Sequence, residues 1–387
     1  MSDWLRRWRG RASRNAAAPG ARAPAGPNAR VPARVPRSVI ASVIASVIAS
    51  VAVPLLAIAA TALALGTDPL AALWAFVDGA VGGRNLGNLQ ATLDRAAMVV
   101  GAALAAWVAM RAGFLNIGVE GQMVLGGVTA AVLGLSLPAS FGSAAVPVVL
   151  AGAALAGSLW ALVAALLHLR LGVPLLVGTL LLNYPASSLA SWLVSHPLRD
   201  PLAGMAASAR VPAGVRLPAL GASDVHVAVP AVVLGLALAA WWYRSTVAGY
   251  EARMTGFGPR FALASGVPVA RLEVLLMAAS GAVAGLMGAL AVLGEHHRYI
   301  EGMLVQPLHA WTGLMAVLLG GWSVARMGAI GLGLAALATG AMGMERVVAM
   351  PRELARVLMA VMLLVVAARG GARLGRTSEN SPEERAP

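Results

Sequence analysis

Polar side chains in the segment from Arg111 to Gln122, RAGFLNIGVEGQ, are the residues whose types and spacing first suggest a chemical role. Asn116, Glu120 and Gln122 bring two amides and a carboxylate into surroundings that are otherwise apolar. An ionisable group within a membrane segment is costly, so Glu120 should face the protein interior or an aqueous path and should have a partner. Arg111 is a candidate for that partner. The segment therefore predicts a polar site inside a membrane protein.

Glycines surround these polar groups. Gly113, Gly118 and Gly121 allow close backbone approach or unusual φ values, as is needed where one helix stops and another begins. We expect Asn116 to cap the new helix, which leaves amide hydrogens at the helix start for a polar partner. Three interpretations stay open: the side chains hold a broken helix in shape, contact a passing solute, or mark an ordinary membrane boundary. We favour the first.

A second group of titratable residues lies further along the chain and could suggest a metal site. Its members are Glu295, His296, His297, Glu301 and His309. They lack the HExxH spacing that places two histidines on one helix face, so we predict a solvated loop and no metal. The same loop, with Arg298, could dock an extracellular binding protein.

The composition excludes several kinds of chemistry. The chain has no cysteine, which removes disulfides, thiolate metal sites and thiol nucleophiles. It also has no lysine, so it contains no phosphate-binding loop of the GxxxxGK type. No arrangement of a catalytic nucleophile stands out. We therefore predict that the protein is not an enzyme, and that any ATP and Mg²⁺ are used by a separate subunit.

The chain as a whole has the composition of a multi-pass membrane protein. Of its 387 residues 59% are hydrophobic and 12% charged, and the mean hydropathy is +0.78. We predict an all-α polytopic bundle of about ten transmembrane helices. The predicted spans are Val39–Leu65, Ala96–Met110, Ile117–Leu137, Pro147–Leu167, Val173–Leu193, Val227–Tyr243, Leu272–Leu293, Trp311–Val324, Met327–Met344 and Leu354–Ala368. The predicted polar loops are Gly66–Arg95, Ser195–His226, Arg244–Arg271 and Gly294–Ala310.

The arginines indicate an orientation. The net charge is +13, and nine of the 29 basic residues lie in the first 37 positions, a stretch rich in Ala, Pro and Gly. We predict that residues 1–37 form a disordered basic tail near anionic lipid, with no binding of nucleic acid. Residues 38–369 form the transmembrane domain, and residues 370–387 form a polar tail. An even number of spans places both termini on one side of the membrane, and the basic tail indicates that this side is the cytoplasm.

One predicted cytoplasmic loop, residues 244–271, contains helix punctuation. Pro259 after Gly258 suits the first position of a helix, because proline loses no needed donor there and has the right φ. Gly266 can adopt the left-handed conformation that ends a helix. The sequence therefore predicts a short helix over Arg260–Ser265, lying across the cytoplasmic face.

This loop resembles the cytoplasmic loop of permease subunits of ATP-binding-cassette (ABC) importers, Gly-x-Asn-Pro-x-Ala-Ala-x-Tyr-Ala-Gly-Val/Ile, which docks into the ATPase. The matching residues are Gly256, Pro259, Ala262, Gly266 and Val267. Gly258 stands for Asn and Phe261 for Ala, which implies a docking surface adapted to its own ATPase. The resemblance implies that these residues and Arg260 couple the chain to the ATPase.

The segment RAGFLNIGVEGQ is similar to the signature Gly-Leu-Phe-Asn-Ile-Gly-x-Glu-Gly-Gln of the nucleoside branch of these permeases. The stretch PLRDP, Pro197 to Pro201, resembles the longer of the two paralogous permeases that pair in nucleoside importers. Thr312 stands where relatives carry Asp. The resemblance implies a nucleoside pathway in the bacterial cell membrane, in which Tyr184 and Trp311 could stack on the cargo.

By the same resemblance, the partners are a second, paralogous permease subunit, a cytoplasmic ABC ATPase and an extracytoplasmic substrate-binding lipoprotein. Within the family, the alternative is a permease for simple sugars or another small polar solute. Outside it, the alternative is a secondary transporter that works without ATP.

Overall fold

In this computed structural model, the described residues are 56, 58–63, 66–82, 86–220, 225–321, 323–348 and 357. Within them the chain is mostly helical and has no strand, only three isolated bridges. The predicted tails at 1–37 and 370–387, the predicted span Leu354–Ala368 apart from one residue, and most of the span Val39–Leu65 lie outside the described residues. The class of the fold, a multi-pass bundle of α-helices, is confirmed.

Twelve helices are numbered here in chain order. They are α1 Pro69–Val81, α2 Gly87–Met110, α3 Val119–Ser136, α4 Ala145–Leu171, α5 Leu175–Leu181, α6 Asn183–Ser195, α7 Ala228–Ser245, α8 Val247–Phe257, α9 Pro259–Ala264, α10 Val269–Leu290, α11 His309–Gly320 and α12 Val324–Val348. Short 3₁₀ helices cover Ala139–Ala144 and Ala213–Val215, and a π-helical turn at Ala291–His296 extends α10.

Six helical segments are long and apolar enough to cross a membrane: those containing α2, α3, α4, α7, α10 and α12. The α1 and α11 helices are apolar but shorter, with 13 and 12 residues. At about 1.5 Å per residue, α11 spans about 18 Å, which is less than a hydrocarbon core of about 30 Å. The described residues thus support six full spans, and the predicted count of ten stays a prediction.

Three sequence expectations are wrong in detail. The predicted loop Gly66–Arg95 contains α1 and the start of α2, because the Asp68 side chain accepts the N–H of Leu70 at 2.9 Å and Pro69 occupies the first helical position. The predicted span Val173–Leu193 is two short helices, α5 and α6, that meet at Leu182. The predicted span Trp311–Val324 ends early, because α11 stops at Gly320 and Gly321 has a φ of +58°.

Helix α10 lies at the centre of the bundle against α2, α3 and α4. Glycines permit this: a Cβ atom added to Gly281 would stand 2.3 Å from the carbonyl oxygen of Gly157 in α4. A Cβ atom on Gly126 of α3 would stand 2.3 Å from the Cα of Gly285 in α10. Small residues let helices in lipid approach closely and gain van der Waals contact. The bundle is therefore held by backbone-to-backbone packing around α10.

The short helix predicted within residues 244–271 is confirmed as α9, with Gly258 before it and Pro259 in its first position. Gly266 follows it with a φ of +89°. The same loop holds a second helix that the sequence analysis did not predict, α8, whose start is capped by Thr246 through the N–H of Gly249. Residues 244–271 are therefore largely helical.

Candidate functional site

The polar segment forms a break between α2 and α3. The α2 helix ends at Met110, Gly113 adopts a φ of +88°, and α3 begins at Val119. Asn116 and Gln122 are fully buried, and Glu120 is 8% exposed. The sequence produces the break here because Gly113 accepts a positive φ, which other residues rarely adopt.

Asn116 is the centre of a closed hydrogen-bond network. Its Nδ2 donates to Gln122 Oε1 at 3.0 Å and to Ser280 Oγ at 2.8 Å, and Gln122 Nε2 donates back to Asn116 Oδ1 at 3.1 Å. Ser280 in turn donates to the carbonyl oxygen of Ala105 at 2.6 Å. The network joins the break to α2, α3 and α10. Buried amides with every group partnered favour a structural role over contact with a solute.

The predicted cap at Asn116 is wrong by two positions. Gly118 is the N-cap residue of α3, and Asn116 Oδ1 accepts the N–H of Gly118 itself at 3.0 Å. An asparagine that accepts a hydrogen bond from two residues ahead makes a turn, and here the turn leads into the helix. Asn116 therefore shapes the approach to α3 and does not cap its first amides.

Helices α5 and α6 close the other side of the break. Asn183 accepts the N–H of Gly121 at 2.9 Å and donates to the carbonyl oxygen of Ile117 at 3.2 Å, while Thr179 accepts the N–H of Ile117 at 3.2 Å. A Cβ atom on Gly118 would stand 2.8 Å from the carbonyl oxygen of Thr179. Gly118 and Gly121 therefore let the start of α3 approach α5 and α6 closely.

Three further residues belong to this site although they were not predicted: Thr179, Asn183 and Ser280. All three are polar residues within apolar stretches, and that signal was open to sequence reasoning.

Glu120 points toward α11. Together with Trp311, Asn116 and Ala106, it lines a cavity of about 10 Å³, and its Oε2 has no hydrogen-bond partner among the described residues. A cavity of this size holds about one water molecule. Trp311 therefore lies at the polar break, whereas Tyr184 is 70% exposed on α6 and does not line the cavity. The stacking of these two side chains on the cargo stays a prediction.

Arg111 packs against aromatic rings at the start of the break. Its guanidinium carbon lies 4.5 Å from the centroid of the Tyr243 ring in α7 and 6.0 Å from that of the Phe257 ring in α8, and the guanidinium carbon of Arg253 lies 4.8 Å from the Tyr243 ring. Burial, and secondly the positive charge of Arg253, lower the pKa of Arg111. Cations over an aromatic face are attracted to it. Arg111 thus ties the break to α7 and α8, and its pairing with Glu120 stays a prediction.

The residues predicted to couple the chain to the ATPase differ in their exposure. Ala262 and Val267 are buried in a cluster with Ala112 and Leu272, which anchors α9 to the end of α2 and the start of α10. Pro259, Arg260 and Gly266 are exposed. A Cβ atom on Gly256 would stand 2.3 Å from the carbonyl oxygen of Arg111, so α8 contacts the backbone at the start of the break.

The outer surface of α8 and α9 is apolar. Its exposed aromatic and aliphatic side chains are Tyr250, Phe257, Phe261 and Leu263, with exposed fractions between 55% and 81%. Exposed apolar patches of this kind mark interaction surfaces.

The histidine-rich segment lies at the far end of α10. His296 and Glu295 approach within 4.0 Å, and no group of three or more metal-binding side chains is close enough to hold a metal among the residues that the structure describes. Burial raises the pKa of Tyr299. Burial also lowers the pKa of His297, and the hydrogen bond of this ring to the backbone of Leu293 opposes that shift only in part.

The fold and the polar break define the class: a multi-pass helical membrane protein with a discontinuous segment inside the bundle. A family model described as "Branched-chain amino acid transport system / permease component" matches residues 88–367. The chain belongs to this family and is a permease subunit of an ABC importer.

The curated relatives are named for different transported solutes. A glucose ABC transporter permease of Haloferax volcanii is 27% identical over 290 residues, 72% of this chain and 75% of the relative. A guanosine ABC transporter permease of Bacillus subtilis is 30% identical over 278 residues, 68% and 76% of the two chains. A nucleoside ABC transporter permease of Lactococcus lactis is 25% identical over 337 residues, 82% and 90%. No solved structure matches the chain significantly.

Proposed function

We propose that the protein is a nucleoside permease. The observation that carries this cargo is the 30% identity to the guanosine permease, joined by the likeness of the segment Arg111–Gln122 to the nucleoside signature. Substrates of glucose size are the second candidate, because a permease named for glucose is similar over 72% of this chain.

The broken helix shapes the pathway. Asn116, Gln122 and Ser280 hold each other and are not free to bind a solute, whereas Glu120 has an oxygen without a partner beside Trp311. Glu120 and Trp311 are therefore the residues of the break that meet a solute or its water. The glycines 113, 118 and 121 keep the backbone of the break against its neighbours.

The ATPase docks on α8 and α9. The exposed side chains Tyr250, Phe257, Phe261 and Leu263 suit a protein partner, and Arg260 adds a positive charge beside them. ATP and Mg²⁺ are bound by that partner. Movement of α8 passes to the break through the contact of Gly256 with Arg111, and alternating access follows when the bundle rocks against a second, paralogous permease.

Orientation follows from docking. With α8 and α9 in the cytoplasm, the loop that contains Glu295 to His309 is extracytoplasmic, where a substrate-binding lipoprotein delivers the solute. Both termini are then cytoplasmic.

Uptake of radiolabelled guanosine tests the cargo. Vesicles containing the permease, its ATPase and the second permease should accumulate guanosine only with ATP and the binding protein, and excess adenosine should compete while ribose, glucose and free bases should not. Competition by glucose with no effect of adenosine would assign the sugar cargo instead. Uptake that persists without ATP would contradict the need for an ATPase.

A further inference from the structure

A larger cavity lies at the end of the bundle away from α8 and α9. Its volume is about 330 Å³, compared with about 10 Å³ beside Glu120. It is enclosed by α2, the π-helical end of α10, the segment before α11, and α12. Arg95 in its wall is about 24 Å along α2 from Arg111, at 1.5 Å per residue, so the cavity and the α8 contact are at opposite ends of this helix.

The polar lining of this cavity comes from four elements. Its charged or titratable members are Asp94, Arg95, Glu295, His296 and His309. The Nδ1 atom of His309 is buried and has no hydrogen-bond partner among the described residues. Arg95 donates to the thioether of Met342 at 3.8 Å, which is a weak acceptor for a guanidinium. Two polar side chains in the wall are therefore short of good hydrogen-bond partners in the part of the chain that the structure describes.

We propose that this cavity is the receiving site for the imported solute on the permease, and that Arg95 and His309 are its hydrogen-bonding residues. The proposal rests on the proposed function for the choice of nucleoside as cargo. A cavity of about 330 Å³ falls at the lower end of the size of small-molecule sites, about 300–1,000 Å³. The small cavity beside Glu120 admits about one water molecule, so the solute is received in the larger cavity and not at the break.

The charges of the wall select the class of solute. Arg95 is positive, Asp94 and Glu295 are negative, and Asp94 is already engaged by the backbone N–H of His226 at 2.9 Å. A wall of mixed sign suits a neutral molecule that carries both donors and acceptors over a free anion or cation. Met98, Met303 and Met342 add polarisable apolar surface of the kind that packs against a ring. A nucleoside has both features.

The absence of cysteine from the chain makes the cavity directly testable. Ala91, at the exposed edge of the cavity, and Met303, in its wall, are each replaced by cysteine in the assembled transporter, and labelling of this chain by a membrane-impermeant thiol reagent is timed. Leu202→Cys, at a residue 95% exposed in a loop, is the control. Saturating guanosine should slow labelling of Ala91→Cys and Met303→Cys at least fivefold and leave Leu202→Cys unchanged.

The outcomes separate this proposal from the cargo. If the transporter imports guanosine but guanosine leaves labelling unchanged, the cavity is not the receiving site although the cargo is right. If the transporter imports glucose, and only glucose protects the cysteines, the receiving site stands and the nucleoside cargo is wrong. If neither cysteine reacts in the assembled transporter without solute, while both react in the permease alone, the second permease covers the cavity and the proposal is overturned.

Transport by side-chain variants gives a second test. Arg95→Met and His309→Leu should each raise the guanosine concentration for half-maximal uptake at least tenfold, and Arg95→Lys and His309→Asn should recover part of that loss. Arg346→Met, which removes an exposed arginine from the last turn of α12, is the matched control and should behave as wild type. A purely structural role would lower assembly with the ATPase or maximal uptake and leave the half-maximal concentration unchanged, which would refute the proposal.

Discussion

Replacing Gly256 with alanine should disconnect α8 and α9, the proposed ATPase-binding helices, from the polar break. The new Cβ atom would stand 2.3 Å from the carbonyl oxygen of Arg111, and ordinary contact begins at about 3.4 Å, so α8 must move away by about 1 Å. The obstacle is backbone, which no side-chain rotation removes. Overpacking of this kind costs about 1–3 kcal/mol. That free energy lowers the equilibrium constant for packing of α8 against the backbone of Arg111 by about 5- to 150-fold.

The assay compares uptake with ATP hydrolysis in the reconstituted transporter. Gly256→Ala should lower uptake at least fivefold while assembly with the ATPase and its basal hydrolysis persist, because the exposed side chains of α9 are unchanged. Gly333→Ala is the matched control: this glycine lies within α12 and has open space where the Cβ would stand. Uptake by Gly256→Ala equal to that of Gly333→Ala would refute the argument that this contact transmits movement.

Three further predictions follow from the same contacts. Asn116→Ala should lower the free energy of unfolding in detergent by roughly 2–5 kcal/mol, because the buried Gln122 amide loses both of its partners and Ser280 loses the donor to its Oγ. Ser136→Ala, at an exposed serine, should change it little, and equal effects would contradict the closed network. Phe261→Asp should lower co-purification of the ATPase at least tenfold without changing the unfolding temperature, and normal recovery would exclude this surface as the docking site. Glu120→Gln should keep most uptake, because it preserves the shape of the polar group, whereas Glu120→Leu should reduce uptake at least tenfold. Equal uptake by the two variants would show that no polar group is needed at this position.

Local features were predictable where neighbours in the sequence set the conformation. The helix α9 follows from Pro259 at its start and from Gly266 after its end, both of which act through their own φ angles. Its agreement with the structure shows how little tertiary information such a helix requires. By contrast, α1 is not evident from the sequence, because its apolar stretch is short and its start depends on a side-chain cap by Asp68.

The polar break was predictable in part. Its position and its glycines could be identified from the sequence, because a carboxylate and two amides stand out in an apolar chain. The partners across the bundle were not predictable: Ser280 is 164 residues from Asn116, and Tyr243, whose ring Arg111 contacts, is also distant in the sequence. Side-chain partners across such separations depend on which helix faces meet.

The amino-acid sequence alone was enough to recognise a membrane permease with a polar break, since hydropathy, charge and short motifs are local properties. The folded chain was needed to see that the amides of the break bond to each other, that α8 contacts the backbone of Arg111, and that a cavity of about 330 Å³ lies at the opposite end of the bundle. Such contacts and cavities arise where helices distant in the sequence pack, and packing depends on shape in three dimensions.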